Sequence, residues 1–313
     1  MSLLLLNASN RIAQGFLKVA AESGKYEKII CADIFPTYFT VQRLLKFKSS
    51  LSANIELFKV GDRQDLHDVI KQANNVLYVS HDYYQTTASK KNLLVATLDL
   101  VKNRNYKTVA YVAPVEHDHQ EEIDEWKHLE VEGRRFIPQL VGIRSDITFG
   151  PNSTFTNKLA QRIYNGESIY FQNTGQSCAP IFTGDLEQIV AQVLAGSHAG
   201  KLLLAKGHKH IDFKSIIHLI EDSLGSAYKA KLNQSFIEKV IHPTNNCIIG
   251  QQLYCPSYIN LTKLIANYKA LENTGYDQVV GDKLVDIEEY HKNNKTVIDQ
   301  SLKADYQLSY LVG

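Results

Sequence analysis

Apolar and polar positions alternate along this chain in blocks. Leu3, Leu4, Leu5 and Leu6 form an apolar run of strand length, and after a polar interval Ile12, Phe16, Leu17 and Ala20 recur at helical spacing. The pattern predicts a strand, a turn over Asn7–Arg11 and a helix. Lys28–Asp33 then predicts a second strand, Ile55–Val60 a third and Asn75–Ser80 a fourth. A helix with Leu66, Val69, Ile70 and Ala73 on one side separates the last two. A helix over Lys91–Lys102, a strand over Thr108–Ala113, a charged helix over Glu121–Arg135 with Trp126, and a sixth strand over Pro138–Ile143 complete the series. Strands alternating with helices of this length argue for parallel βαβ units with right-handed crossovers. The expected fold class is α/β, a doubly wound parallel sheet.

Beyond Ser153 the alternation loosens. Helices over Phe155–Tyr164, Leu186–Ala195 and Phe213–Leu224 are separated by short strands near Ile169, over Ala179–Phe182 and over Lys201–Ala205. These segments read as a smaller mixed C-terminal cap over the carboxyl ends of the strands, where open α/β sheets bind ligands. The expected organisation is a dinucleotide-binding core over 1–165, an interleaved subdomain over 166–260 and an extension over 261–313. That extension has a helix near Ile259–Leu271 and little patterned structure after it, either wrapping the domain or docking on another protein.

Composition narrows the function classes. The 34 basic and 33 acidic residues leave a net charge of +1 and are interspersed, so no basic face points to nucleic acid or to an anionic membrane. No apolar run approaches the ~20 residues of a membrane span. Cys31, Cys178, Cys247 and Cys255 share no metal-ligand spacing and read as free thiols. Leu3–Leu6 lacks the basic n-region of a signal peptide and reads as the first strand.

Candidate chemistry gathers at the first turn. In a dinucleotide-binding unit this turn carries glycines, which let the pyrophosphate reach backbone N–H groups at the positive end of the helix. Here those places hold Asn7, Asn10 and Ala13. Asn tolerates the left-handed region better than most residues, and Ala13 is small enough for close helix–sheet packing. Ser9, Arg11 and Ile12 complete the candidate phosphate contacts. Asp33 ends the second strand about 20 residues on, where an acid accepts hydrogen bonds from the adenosine ribose; a loop-initiating Asp is the other reading. His117, Asp118, His119, Glu121 and Glu122 cluster after the fifth strand and read as a solvated helix start, so no metal site is expected. His208 and His210 read as an exposed turn, and Tyr83 and Tyr84 as an ordinary pair among 17 tyrosines.

Several phrases then coincide in order: the degenerate turn Asn7–Ala13, Asp33, Val60-Gly61-Asp62-Arg63, Val79-Ser80, Arg144–Asn152 and Pro180–Val190. Together they resemble the extended or atypical short-chain dehydrogenase/reductase superfamily, with a Rossmann-like core, over roughly residues 2–221. Asp146–Ala160 is most similar to the accessory subunit of mitochondrial NADH:ubiquinone oxidoreductase (complex I) that carries this fold.

The resemblance implies that Asp62 and Arg63 lie at the adenine edge and Ser80 at the end of the fourth strand. It implies NADP(H) through complex I, whereas the Asp33 carboxylate argues for NAD(H). It also implies a test of activity, because the family pairs a Tyr with a Lys four residues on and adds a Ser at the end of the fifth strand. Here the Ser place is Ala113-Pro114, the Tyr and Lys places fall near Glu125 and Leu129, and no Tyr-x-x-x-Lys occurs between Lys107 and Gly150.

The expectation is therefore a non-catalytic subunit. It would be peripheral on the matrix side of the mitochondrial inner membrane, partnered by other subunits of a respiratory assembly, with a dinucleotide as structural ligand if one is retained. No Arg-rich presequence opens the chain, so import would use an internal or removed signal. The alternatives are a subunit of another respiratory or ATP synthase assembly, an active atypical NAD(P)-dependent reductase or epimerase, and a nucleotide sensor of the NmrA type.

Overall fold

Leu3–Leu6 are all buried, with side chains alternating between two cores, as period-two geometry requires of a strand covered on both faces. They belong to β1 (Ser2–Leu6), an interior strand of the sheet that organises the chain. The computed structural model describes residues 1–8, 10–33, 38–80, 95–102, 104–114, 130–151, 153, 155–166, 168–171, 177–196, 198–233, 258–259, 277–280 and 286–293.

The elements follow the expected alternation. After β1 come α1 (Arg11–Glu22), β2 (Lys28–Asp33), α2 (Tyr38–Ser49), β3 (Ile55–Lys59), α3 (Arg63–Ile70) and β4 (Asn75–Val79). Helical residues 95–101 (α4) lead to β5 (Thr108–Pro114), and helical residues 130–136 (α5) lead to β6 (Leu140–Ser145). The remaining elements are β7 (Thr148–Phe149), α6 (Phe155–Tyr164), β8 (Ser168–Phe171), β9 (Ser177–Cys178), β10 (Ile181–Phe182), α7 (Thr183–Leu194), β11 (Leu202–Lys206), β12 (Ile211–Asp212), α8 (Phe213–Leu224), β13 (Lys231–Asn233), β14 (Tyr258–Ile259), β15 (Asp277–Val280) and α9 (Ile287–Asn293).

Eight strands form one sheet in the order β15-β11-β6-β5-β4-β1-β2-β3, and every pairing in it is parallel. The order reverses between β1 and β4, which makes the crevice outside the carboxyl ends of those strands the ligand position of a doubly wound fold. On one face α1 and α7 pack over Leu3, Leu5, Ile29, Leu77, Val112 and Ile143. On the other, α3 and α4 cover Leu4, Leu6, Ile30, Val76 and Tyr111 through Leu66, Val69, Leu98 and Val101. Burying one such leucine stabilises the fold by roughly 1.5–3 kcal/mol.

Two features depart from the expectation. Leu202–Lys206 returns to the main sheet beside β6, although the regular alternation loosens after Ser153. Its run Leu-Leu-Leu-Ala is buried throughout, as a parallel strand covered on both faces must be. Within the extension over 261–313, Asp277–Val280 adds the edge strand next to β11, and Ile287–Asn293 is helical. The chain at Tyr258–Ile259 is a strand paired with β8, where a helix is expected to start. The rest of that expected helix lies outside the described residues.

The C-terminal cap has a core of its own. Phe149, Phe155, Leu159, Ile163, Phe213, Ile216, Ile217, Ile220, Ile287 and Tyr290 pack together, so α6, α8 and α9 hold one another. Tyr290 meets the rings of Phe149 and Phe182 at 5.7 and 5.6 Å. Lys209 adds an ion pair to Glu288 at 2.6 Å at the start of α9.

Candidate functional site

The β1–α1 turn sits at the reversal of strand order, and its conformation accounts for its sequence. Asn7 has φ 59°, the left-handed region a glycine would supply. Its side chain folds back and donates from Nδ2 to the Val79 carbonyl at 2.9 Å, tying the end of β1 to the end of β4. Asn10 caps α1: its Oδ1 accepts from the Ile12 N–H at 2.9 Å. Ala13 is fully buried against the sheet, where the third small residue of such a turn allows helix and strand to approach. Ile12 is buried beside it, and Arg11 is half-buried at the first helical position. Ser9 lies outside the described residues.

The neighbouring strand ends complete the crevice. Asp33 closes β2 and is 4% exposed, a buried carboxylate one strand away from the turn. Ser80 follows β4, is buried, and donates its N–H to the Val112 carbonyl at 2.7 Å. Tyr78, which sequence reasoning passed over, stands beside these groups. Burial raises its hydroxyl pKa well above the usual range, hydrogen bonding with the side chains of Ser80 and Asn7 opposes the rise, and the Asp33 charge adds to it. Period-two alternation in Val76-Leu77-Tyr78-Val79 was the available signal, since it puts Tyr78 on the same face of the sheet as Leu6.

Asp62 and Arg63 have local roles. Asp62 caps α3 by accepting from the Asp65 N–H at 2.9 Å, and Asp65 accepts from the Gly61 N–H at 2.8 Å. Arg63 pairs with Asp99 on α4. The turn and Asp33 thus come together around the crevice with Tyr78 and Ser80, while Asp62 and Arg63 lie at the start of α3, beyond the end of β3.

The residues present fit a nucleotide. An acid at the end of β2 suits ribose hydroxyls, and α1 has no acidic residue in its first turn to neutralise its positive end. Asn10 also keeps a buried amide nitrogen, Nδ2, with no hydrogen-bond partner. Asp33, Asn7, Asn10, Arg11 and Ile12 would hold such a group, which supplies hydride acceptance or donation when bound.

At the end of β5, Ala113 is buried and pairs in register with Arg144 of β6. Tyr111 donates its hydroxyl to Glu130 of α5, and Arg144 and Arg134 act on the same hydroxyl by their charge. This buried group ties α5 to the sheet and is a second feature that the sequence reading did not single out. Glu125, Leu129, Trp126, Tyr83, Tyr84 and the His117–Glu122 cluster lie outside the described residues. Among the described residues no group of His, Cys, Asp and Glu is arranged to hold a metal ion, and no helix is long and apolar enough to cross a membrane.

No family model matches the sequence, and no curated protein matches it. Solved structures share its fold. The UDP-glucuronic acid 4-epimerase of Bacillus cereus in complex with NAD superposes with a TM-score of 0.62 at 12% identity, covering 75% of this chain and 87% of that one. The Bordetella bronchiseptica enzyme WbmF in complex with NADH does so with a TM-score of 0.60 at 13% identity, covering 97% and 95%. The dTDP-glucose 4,6-dehydratase of Bacillus anthracis in complex with NAD gives a TM-score of 0.59 at 14% identity over 75% of this chain and 84% of that one. The fold is therefore a doubly wound, Rossmann-like α/β fold that these structures share.

These neighbours correct one expectation. The absent Tyr-x-x-x-Lys argues for a protein without chemistry, yet structures that share the fold include a 4-epimerase and a 4,6-dehydratase in complex with NAD and an enzyme in complex with NADH. The inference ran too far for a physical reason. A missing Tyr–Lys pair removes one proton donor and its partner, and leaves untouched the crevice outside the carboxyl ends of β1 and β4.

Proposed function

We propose that the protein is an atypical NAD(P)-dependent enzyme of the epimerase and dehydratase kind, acting on a nucleoside-diphosphate sugar with a proton donor other than Tyr-x-x-x-Lys. The observation that carries this reading is the β1–α1 turn. It keeps the left-handed backbone at Asn7, the close-packed small residue at Ala13 and the buried acid Asp33, so the nucleotide edge survives the loss of its glycines. The substrate class follows the named substrates of the fold neighbours. Asp33 favours NAD(H), because a buried carboxylate repels a 2′-phosphate.

Acid or heat release of nucleotide from purified protein tests the reading, together with titration of NAD+ and NADP+ into nucleotide-free protein. A stoichiometric NAD(H) peak is expected, and reduction of bound NAD+ on adding UDP- or dTDP-sugars would identify the substrate. An empty extract combined with no binding in the titration rejects it.

A second reading, a subunit of a mitochondrial respiratory assembly, rests on the similarity of Asp146–Ala160 to the complex I accessory subunit. In this fold much of the phrase serves the cap. Asp146 accepts from the backbone N–H groups of Ile147 at 2.6 Å and Ala179 at 2.7 Å, Ser153 accepts from the Thr156 N–H at 3.1 Å, and Asn157 donates to Pro151 at 3.1 Å. Residues so engaged support the enzyme reading over a docking role. Co-migration with a large respiratory particle on a native gel of mitochondrial membranes would reverse that preference.

A further inference from the structure

We propose that the side-chain amide of Asn10 is the phosphate donor of the β1–α1 turn, replacing the close backbone approach that a glycine permits. The inference rests on the dinucleotide reading above and assigns the contact to one atom. Asn10 is 2% exposed. Its Oδ1 accepts from the Ile12 N–H, which fixes the orientation of the amide and leaves Nδ2 on the opposite prong. That nitrogen is shielded from water and has no hydrogen-bond partner among the described residues. An amide NH2 only donates, so its partner must be an acceptor.

The surroundings select an anionic acceptor. The nitrogen lies at the start of a 12-residue helix whose first turn contains no acid, and Arg11 adds a cation there. The starts of α3 and α7 differ in this respect, whereas α2 and α6, like α1, carry no acid in the first turn. In α3 the cap is Asp62 and the first turn holds Asp65, and α7 carries Asp185 in its first turn. Those carboxylates already oppose the positive helix ends and would repel a phosphate. At α1 the cap is neutral and one of its donors is unused. A nucleoside diphosphate oxygen satisfies that donor and the helix end together.

The test uses Asn10→Asp in the full-length chain. Asp caps a helix as well as Asn, so the ligand-free melting temperature should be unchanged, while the donor becomes a second acceptor facing the phosphate. Calorimetric titration with NAD+ and with ADP should then show affinity reduced by roughly 10- to 100-fold, the worth of a hydrogen bond to a charged group. Asn10→Ser, which caps through its hydroxyl and has no amide, should show a loss of the same direction if Asn10→Asp melts early. Wild-type affinity in a folded variant overturns the Asn10 assignment and leaves the dinucleotide reading standing. Wild-type protein that binds ADP with the expected Asn10 dependence but not NAD+ overturns the dinucleotide reading alone. Wild-type protein that binds neither overturns both.

Discussion

The β1–α1 turn and the β6–α6 connection are both rich in small polar residues, and they use them in opposite ways. Between Asp146 and Asn157 the side chains of Asp146, Ser153, Thr156 and Asn157 all hold partners inside the protein. In the turn, Asn7 donates to the Val79 carbonyl and Asn10 accepts from the Ile12 N–H, yet Asn7 keeps a buried acceptor, Oδ1, and Asn10 a buried donor, Nδ2, over. Polar groups engaged within the fold report on how the chain folds. A buried polar group left unpartnered costs stability, and beside the crevice of a doubly wound sheet it points to a ligand. Motif similarity alone does not separate the two cases, because both stretches resemble the same superfamily.

The largest effects should come from disturbing the engaged side of this comparison. Asp146→Ala leaves the buried N–H groups of Ile147 and Ala179 without their acceptor and should cost about 3 kcal/mol or more in denaturant unfolding. If the loss is below about 1 kcal/mol, the cap tolerates unsatisfied donors and the contrast with the turn collapses. Gly207→Ala belongs to the same class. A Cβ there would sit 1.9 Å from the Pro180 carbonyl oxygen, so backbone must move, and a loss of about 1–3 kcal/mol or more is expected.

A pH series sharpens the comparison on the cap side. His291 of α9 is buried, neither ring nitrogen has a partner, and burial lowers its pKa to about 4. The folded pKa lies below the unfolded value near 6.5, so the unfolded chain binds the proton more tightly. The neutral ring's contribution is therefore fully present above pH ~6.5 and is lost as pH falls towards ~4, by roughly 3 kcal/mol in all. His291→Leu removes this dependence. The stability difference between wild type and variant should shift by about that amount across the window, and a constant difference would falsify the assignment to His291.

Much of this architecture was legible in the sequence. Leu3–Leu6 and Asn75–Ser80 read as buried strands because apolar runs of that length, spaced by amphipathic helices, have few other solutions. Asn7 was legible as the left-handed residue, since its place requires one and Asn is among the few non-glycine residues that adopt it readily. The return of β11 to the sheet was not read, although Leu202–Ala205 is as apolar as β1, because its strand partners are far away in sequence. Nor was the pairing of Tyr111 with Glu130, which depends on Gly142 leaving room over β6. The unpartnered nitrogen of Asn10 was out of reach for another reason. Which prong of an amide is engaged depends on a 2.9 Å contact and not on residue type.

The smallest expected effect is also the one that most directly tries the rule drawn from the two regions. Arg63 has a sequence position that points to the adenine edge, yet its guanidinium pairs with Asp99, which Lys102 also engages. Both Lys102 and Arg63 hold the Asp99 carboxyl below its usual pKa, Lys102 more strongly. The pair is largely solvent-exposed, and exposed ion pairs contribute about 0.2–1 kcal/mol. Arg63→Ala should therefore lower stability by less than about 1 kcal/mol, with the loss shrinking further in high salt. By the rule that engaged groups serve the fold, it should weaken NAD+ binding by no more than about threefold, well short of the loss from Asn10→Asp. A tenfold loss on Arg63→Ala, measured by the same titration, would mean that a surface ion pair opens to admit the nucleotide. Partner satisfaction in the ligand-free fold would then not be enough to tell binding residues from structural ones.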